Sequence, residues 1–265
     1  LSAADFIYDG VKLSEFKNGA FLVANFTTGN TPTEGQRNIN QTPLFMGKEQ
    51  PFLYQNYTST LTFTISIIKN PCYDSLGVIS IQDMEDLKRW LCRPAPHAFK
   101  LTENEYQHIF WEGSFNITEE LRGSTRIGAT LTFVSTRPFA LQEDTIFANT
   151  VEAGETITIV DTSVELGYIY PNMTVKCLEA GDLIITSDFE DRQTVIKNCK
   201  QDEIITFSKY LQIESSDTEH ALYDDFNYKF PRICNNINTN VNNITFSLAC
   251  EYSIIYNPIR KVIPV

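Results

Sequence analysis

The chain has 265 residues, of which 42% are hydrophobic and 20% charged, and its formal net charge is −12. Such a length and balance suit one large or two ordinary folded domains and argue against a disordered chain. A negative surface field repels phosphate, so no dedicated nucleic-acid binding is expected.

The charge is uneven along the chain. Residues 1–138 carry 12 Lys+Arg against 14 Asp+Glu, a net of −2, whereas residues 139–265 carry 9 against 19, a net of −10. Apolar stretches such as Leu61–Ile68 are short and interrupted by Thr and Ser. A spanning helix needs about 20 apolar residues, so no membrane insertion is expected. The start, LSAADFIYDG, has neither a basic end nor an apolar core and does not read as a signal peptide.

In chain order, Thr27–Pro51 comes first, with Pro32, Pro43, Pro51, Gly29, Gly35 and Gly47 and few apolar groups. A loop that long is usually functional or disordered. Two readings stand side by side: an arm that grips a neighbouring subunit, or a loose surface loop. Leu61, Phe63, Ile65 and Ile67 then alternate with Thr62, Thr64 and Ser66, the period of a strand with one buried face. Ser80-Ile81-Gln82-Asp83 reads as a capping box that opens a helix. Ile81, Met84, Leu87 and Leu91 follow at helical spacing, with acids early, Lys88, Arg89 and Arg93 late, and Pro94 as the stop. Ala129, Leu131 and Phe133 repeat the strand pattern.

Arg137-Pro138-Phe139-Ala140 is the expected domain boundary. Beyond it, Ile157–Val160, Met173–Cys177, Leu183–Thr186 and Ile204–Phe207 are β-rich. Ile244, Phe246, Leu248, Cys250, Tyr252, Ile254 and Tyr256 share one parity, so one long strand or two joined at a bend is expected.

The residues that could carry chemistry are few. Cys72, Cys92, Cys177, Cys199, Cys234 and Cys250 contain no C-x-x-C pair, so no zinc site is expected. Their even number permits three disulfides, but free cysteines packed in cores are the plainer reading, and Cys250 falls in register with apolar strand neighbours. His97, His108 and His220 sit in no metal spacing, and no nucleophile elbow, P-loop or dinucleotide fingerprint is present. Asp188, Glu190 and Asp191 invite a glycosidase reading, yet their setting between β segments, with Arg192 following, reads as a solvated turn. The triplets at Asn25, Asn40, Asn56, Asn116, Asn172 and Asn243 match glycosylation acceptors, though Asn and Thr are abundant here, and a turn role is expected for Asn243. Arg122, Arg126 and Arg137 with Lys88, Arg89 and Arg93 either face an acidic partner or are scattered solvated charges. No catalytic, cofactor-binding or metal-binding residue is assigned, and no cofactor is expected.

Several segments resemble the distal tail proteins of siphophages, the Dit family. They are Asp5-Phe6-Ile7-Tyr8-Asp9-Gly10-Val11, Leu61–Ile67 with Lys69-Asn70-Pro71, Lys88-Arg89-Trp90-Leu91, His97-Ala98-Phe99-Lys100-Leu101, and Leu131-Thr132-Phe133 with Arg137-Pro138-Phe139-Ala140. In the second half they are Tyr170-Pro171, Gly181-Asp182, Phe226-Asn227, Phe230-Pro231-Arg232 and Tyr256-Asn257-Pro258-Ile259-Arg260-Lys261. Each motif is weak alone; their order and spacing are specific, and the resemblance runs nearly end to end.

It implies a mainly β protein. Residues 1–138 would form a tail-tube-like split β-barrel with one α-helix and an extended arm at about 27–51. Residues 139–265 would form a galectin-like β-sandwich. It further implies a non-enzymatic, homohexameric hub ring in the virion's distal tail, assembled in the host bacterial cytoplasm. The partners would be its own copies, the tail-tube protein, a tail-tip hub protein and receptor-binding proteins. The alternative is a secreted or surface carbohydrate-binding β-sandwich, a lectin or adhesin, which predicts a monomer or small oligomer with disulfides.

Overall fold

The computed structural model describes residues 5–24, 37–41, 53–57 and 60–263, and for 37–41 and 53–57 it gives the backbone. Of the expected arm, therefore, only residues 37–41 fall within the described part. The molecule is mainly β, with one long helix, and divides into two compact units. One is Leu1–Leu141 together with Lys261–Val265, and the other is Gln142–Arg260. The closing residues thus pack with the first unit: the Val262 carbonyl accepts from Trp111 Nε1 at 3.3 Å and the Ile263 carbonyl from the Tyr106 hydroxyl at 3.3 Å.

The first unit contains β1 (Phe6–Tyr8), β2 (Val11–Lys12), β3 (Phe21–Ala24), β4 (Arg37–Gln41), β5 (Leu53–Tyr57), β6 (Thr62–Lys69), helix α1 (Ile81–Leu91), β7 (His97–Leu101), β8 (Ile109–Arg122) and β9 (Thr125–Ser135). The main sheet runs β2-β1-β7-β8-β9-β6-β3. Asp9 (φ 51°) and Gly10 (φ 75°) make the two-residue turn between β1 and β2, which needs positive φ at both positions. The alternating runs of β6 and β9 meet in register, Phe63 opposite Phe133, Ile65 opposite Leu131 and Ile67 opposite Ala129. Matching parities send both apolar sets to one face. There the Phe133 ring packs against Phe63, Phe99 and Phe115 at centroid distances of 4.9, 5.1 and 5.0 Å.

Strand parity also sends Lys69 inward, where it is buried. An unpaired buried ammonium is costly. Its counter-ion comes from the helix cap. Ser80 Oγ accepts from the Asp83 N–H at 3.1 Å, and Asp83 Oδ2 accepts from the Ser80 N–H at 3.3 Å. The same carboxylate receives Lys69 Nζ at 2.6 Å and Lys17 Nζ at 2.9 Å. Burial works against the charged carboxylate, but these two lysines and Ser80 overcome it and hold Asp83 well below the usual range. One residue therefore starts α1, neutralises a core lysine and ties the helix to the sheet. Met84, Leu87, Trp90 and Leu91 form the buried face, while Ile81, expected on that face, is exposed.

The chain leaves the first unit through β10 (Ala140–Gln142). The second unit contains β11 (Thr145–Val151), β12 (Thr156–Val160), β13 (Gly167–Ile169), β14 (Asn172–Cys177), β15 (Gly181–Ser187), β16 (Glu190–Cys199), β17 (Ile204–Ser208) and β18 (Gln212–Ser215). A one-turn helix α2 (Leu222–Asp225), β19 (Ile233–Asn235), β20 (Val241–Phe246), β21 (Cys250–Tyr256) and β22 (Ile259–Arg260) complete it. Two sheets, β11-β21-β14-β17-β18 and β12-β20-β15-β16, share one apolar core as a sandwich. The single-parity run Ile244–Tyr256 is two strands, one in each sheet, joined through Ser247–Ala249. Parity survives the crossing because both strands turn the same set of residues toward the shared core. Asn243, expected in a turn, lies inside β20, where its N–H and side chain bind Asp188 at 2.9 and 2.7 Å.

Two substitutions test this packing. A Cβ on Gly113 would lie 2.4 Å from the Val134 carbonyl oxygen and 2.5 Å from the Phe133 ring. Gly113→Ala is expected to destabilise by about 2–3 kcal/mol in chemical denaturation, as overpacking does; a neutral effect would contradict the close approach. Asp83→Asn removes the counter-ion of Lys69 and is expected to cost about 3 kcal/mol. Because Asp83 is held below its usual value, its contribution in the native protein is full above about pH 4 and fades on acidification. The difference between the native protein and Asp83→Asn should therefore shrink as pH falls through that range.

Candidate assembly surfaces

Sheet edges are the first surfaces to consider, because an edge strand carries unpaired N–H and C=O groups that can template another strand. Among the described residues β2 and β3 end the first unit's main sheet path. Among the described residues β4 and β5 pair with each other, from Arg37 opposite Tyr57 to Gln41 opposite Leu53, and form a two-stranded ribbon. An isolated pair of strands is marginal in water, and among the described residues this ribbon has two further unpaired edges.

The four edges of the two sandwich sheets differ in protection. β16 bears Glu190, Asp191, Arg192 and Lys197, and its pairing with β15 is interrupted by register shifts. Both features blunt an edge. β12 and β18 are short. β11, Thr-Ile-Phe-Ala-Asn-Thr-Val, has seven consecutive residues in register with β21, carries no charge and exposes Ile146. It is the least protected edge of the sandwich.

Of the six first-half cations singled out, five lie beside carboxylates of the same unit, and Arg122 is exposed at the end of β8. Lys88 and Arg126 both bind Glu119, at 3.1 and 2.6 Å; Arg137 binds Glu112 at 3.3 Å, Arg93 binds Asp9 at 3.1 Å, and Arg89 lies 3.8 Å from Asp86. The Lys88 and Arg126 pairs with Glu119 tie α1 and β9 to β8, whereas the Arg89 contact stays within α1. A groove of about 340 Å³ beside α1 is lined by Val11, Phe16 and Trp90, with Lys17, Asp86, Arg89 and Arg93 around it.

In the second unit a polar knot fixes the segment that leads into α2. His220 is almost fully buried; its Nδ1 lies 2.5 Å from Glu203 Oε1 and its Nε2 3.3 Å from Asp225 Oδ2. Ser215 Oγ donates to the same Glu203 oxygen, and the Lys200 N–H donates to the other at 2.8 Å. Burial pulls the imidazole's pKa down, but the Glu203 hydrogen bond and charge, with smaller help from Asp225, leave it raised overall. The serine hydroxyl is spent on the carboxylate rather than presented to the imidazole, so this is not the relay that activates a nucleophile. A cleft of about 430 Å³ adjoins it, lined by Ser215, Asp217, His220, Tyr223 and Asp224 among others.

The other singled-out groups are also accounted for within the fold. His97 Nδ1 lies 3.0 Å from Asp9, and His108 is on the surface. Asp188 binds Asn243, Glu190 is clamped by Arg232 at 2.5 Å, and Asp191 stands beside it at the β15–β16 turn. Those carboxylates make a structural turn rather than a facing pair. All six cysteines are free thiols, Cys72 and Cys92 exposed and the other four buried. Among the described residues no group of His, Cys, Asp or Glu is placed to hold a metal ion, and no helix is long and apolar enough to cross a membrane. The knot of Glu203, Ser215 and His220 escaped sequence reading because its members are separated in the chain and match no motif.

A histidine whose folded pKa is raised adds stability that is full below about pH 6.5 and is lost as pH rises through the folded value. Thermal unfolding of the native protein minus that of His220→Gln should therefore be larger near about pH 6 than near about pH 9. An equal difference at both would contradict the charged pairing.

The N-terminal domain model of a phage tail protein family matches residues 1–136, and the C-terminal domain model of phage tail proteins matches residues 139–256. No curated protein sequence matches the chain. Its fold is similar to the crystal structure of the SPP1 phage Dit protein, gp 19.1, described there as a paradigm of the hub adsorption apparatus of phages that infect Gram-positive bacteria. The TM-score is 0.64 at 11% identity, covering 96% of this chain and 98% of the SPP1 chain. With tail-protein domains matched in both halves, this chain belongs to that phage tail protein family.

Proposed function

We propose that the chain is a distal tail protein whose copies close into a six-membered hub ring joining the tail tube to the tail tip. The observation that carries this reading is the end-to-end agreement of the two tail-protein domains with a fold shared over nearly the whole length of the SPP1 hub protein. The physics supports it. A ring made by head-to-tail contacts needs two different surfaces on each subunit. The β2 and β3 edges and the β4–β5 ribbon supply dissimilar surfaces on one unit. The ribbon lies within and beside the stretch read as an arm, at about 27–51, and favours the gripping role over the loose loop.

In this reading residues 1–138 build the ring and residues 139–265 supply a β-sandwich, with the closing residues 261–265 returning to the first unit. Its neighbours are the tail-tube protein, a tail-tip hub protein and receptor-binding proteins, and its place is the distal tail of the virion after assembly in the host cytoplasm. It works by geometry, with no catalysis, cofactor or metal. The lectin alternative calls for a disulfide-stapled secreted domain; the free thiols give it no support.

Electron microscopy of the purified full chain tests the proposal. Particles with sixfold symmetry and a central channel are expected. Lone subunits in the virion, or glycan binding by a monomer with no ring in any preparation, would contradict it.

A further inference from the structure

Among the described residues Ile237 is the most exposed large apolar side chain, at 85%. It sits at the tip of the turn 236–239. The Asn236 N–H donates to the Thr239 carbonyl at 2.9 Å, and Asn236 Oδ1 accepts from the N–H groups of Asn238 and Thr239 at 2.8 and 3.0 Å. Turn tips favour polar residues and glycine, so an isoleucine held out in solvent by such bonds calls for a partner. The base of the turn is braced as well: Asn240 Nδ2 donates to the Asp161 carbonyl at 2.7 Å, and the Asp161 N–H donates to the Asn240 carbonyl at 2.9 Å. Next to it, Val160 and Val241 stand opposite each other in β12 and β20, both exposed. Residues 233–250 carry no charged side chain. In a strongly acidic half of the chain, an apolar stretch without charge marks a contact surface, because interface cores are depleted of charge. Its border is acidic. Ser187 lies opposite Ile244, which brings the β15–β16 turn to the Val241 end of β20, with Asp188 and Asp191 exposed there beside Arg192.

The groove beside α1 has the complementary character. Phe16 and Trp90 stack there at a centroid distance of 4.5 Å and, with Val11, line its apolar part. Its border carries Lys17, Arg89 and Arg93 against Asp86. Lys17 is held by Asp83 and Asp86 and Arg93 by Asp9, whereas the Arg89 side chain is 80% exposed. Among the described residues of the same chain nothing fills this groove or covers Ile237. We propose that the turn 236–239 of one copy seats in the α1 groove of a second copy, with Ile237 entering between Val11, Phe16 and Trp90 and Arg89 meeting the acidic border of the turn. The contact rests on the ring reading above and gives it two unlike surfaces, as head-to-tail closure requires. Turn against turn is disfavoured, because both copies would bring the same acids together. A turn fixed by its own hydrogen bonds loses little freedom on docking, and an apolar anchor in an aromatic-lined pocket is where binding energy concentrates.

The test uses full-length chain with the photo-cross-linking residue p-benzoylphenylalanine in place of Ile237. It is assembled together with native chain labelled with heavy nitrogen, irradiated, digested and mapped by mass spectrometry. The expected product joins the light peptide that carries position 237 to a heavy peptide that contains Val11, Phe16 or Trp90. In parallel, Ile237→Asp and Arg89→Glu should each weaken self-association by about tenfold in sedimentation, the loss of one interface anchor or one charge pair. Both side chains are exposed, so the Tm of the separated subunit should stay as in the native chain. Assemblies in which position 237 joins another surface, only its own copy or nothing, or in which both variants associate like the native chain, overturn this contact and leave the ring reading standing. A chain that stays single at every concentration, and in the virion, overturns both.

Discussion

An unpaired backbone edge is the constraint on which this molecule turns. Every buried N–H and C=O must find a partner, and a sheet that does not close leaves a row of them at each end. A protein meant to stay single blunts those ends with charge, bulges or short strands. Here β16 is blunted in that way, while β11 is long, regular and uncharged. The β4–β5 ribbon has no third strand among the described residues. Leaving such edges open carries an aggregation risk unless another copy or partner takes them up, and a tail component is built for that uptake.

Inside each unit the edges are held in place by cores of different character. The first relies on aromatic rings stacked between β6, β7, β8 and β9, with a buried ion network at its margin. That network lets strand parity continue through Lys69 without leaving a bare charge inside. The second relies on aliphatic side chains between two sheets, with Phe207, Phe226 and Phe246 and buried thiols among them and polar knots at its ends. The acidic excess of the second half is partly absorbed by such knots, as Glu203 and Glu190 show with His220 and Arg232.

Much of this was legible in the residues. The alternation from Leu61 to Ile67 and from Ile244 to Tyr256 could be read because period-two burial depends on neighbours in the chain. The capping box could be read because its hydrogen bonds span three residues. What could not be read depends on contacts between distant residues. Nothing near Gly113 announces that Val134 and Phe133 crowd it, and nothing near Asn243 shows that Asp188 will hold it inside a strand. Ile81 fits the helical stripe by spacing, yet it sits at the first turn, beyond the reach of the core. The family resemblance implied a mainly β phage tail protein, and the matched tail-protein domains carry that family assignment.

Backbone hydrogen exchange, followed in assembled and dissociated protein, tests the central claim most directly. Amides of the β4–β5 ribbon and of the β2 and β3 edges should exchange quickly in the separated subunit and become protected on assembly, while β8 and β9 stay protected in both. If ribbon and edge amides exchange alike in the two states, the edges are not what the copies share, and the account fails.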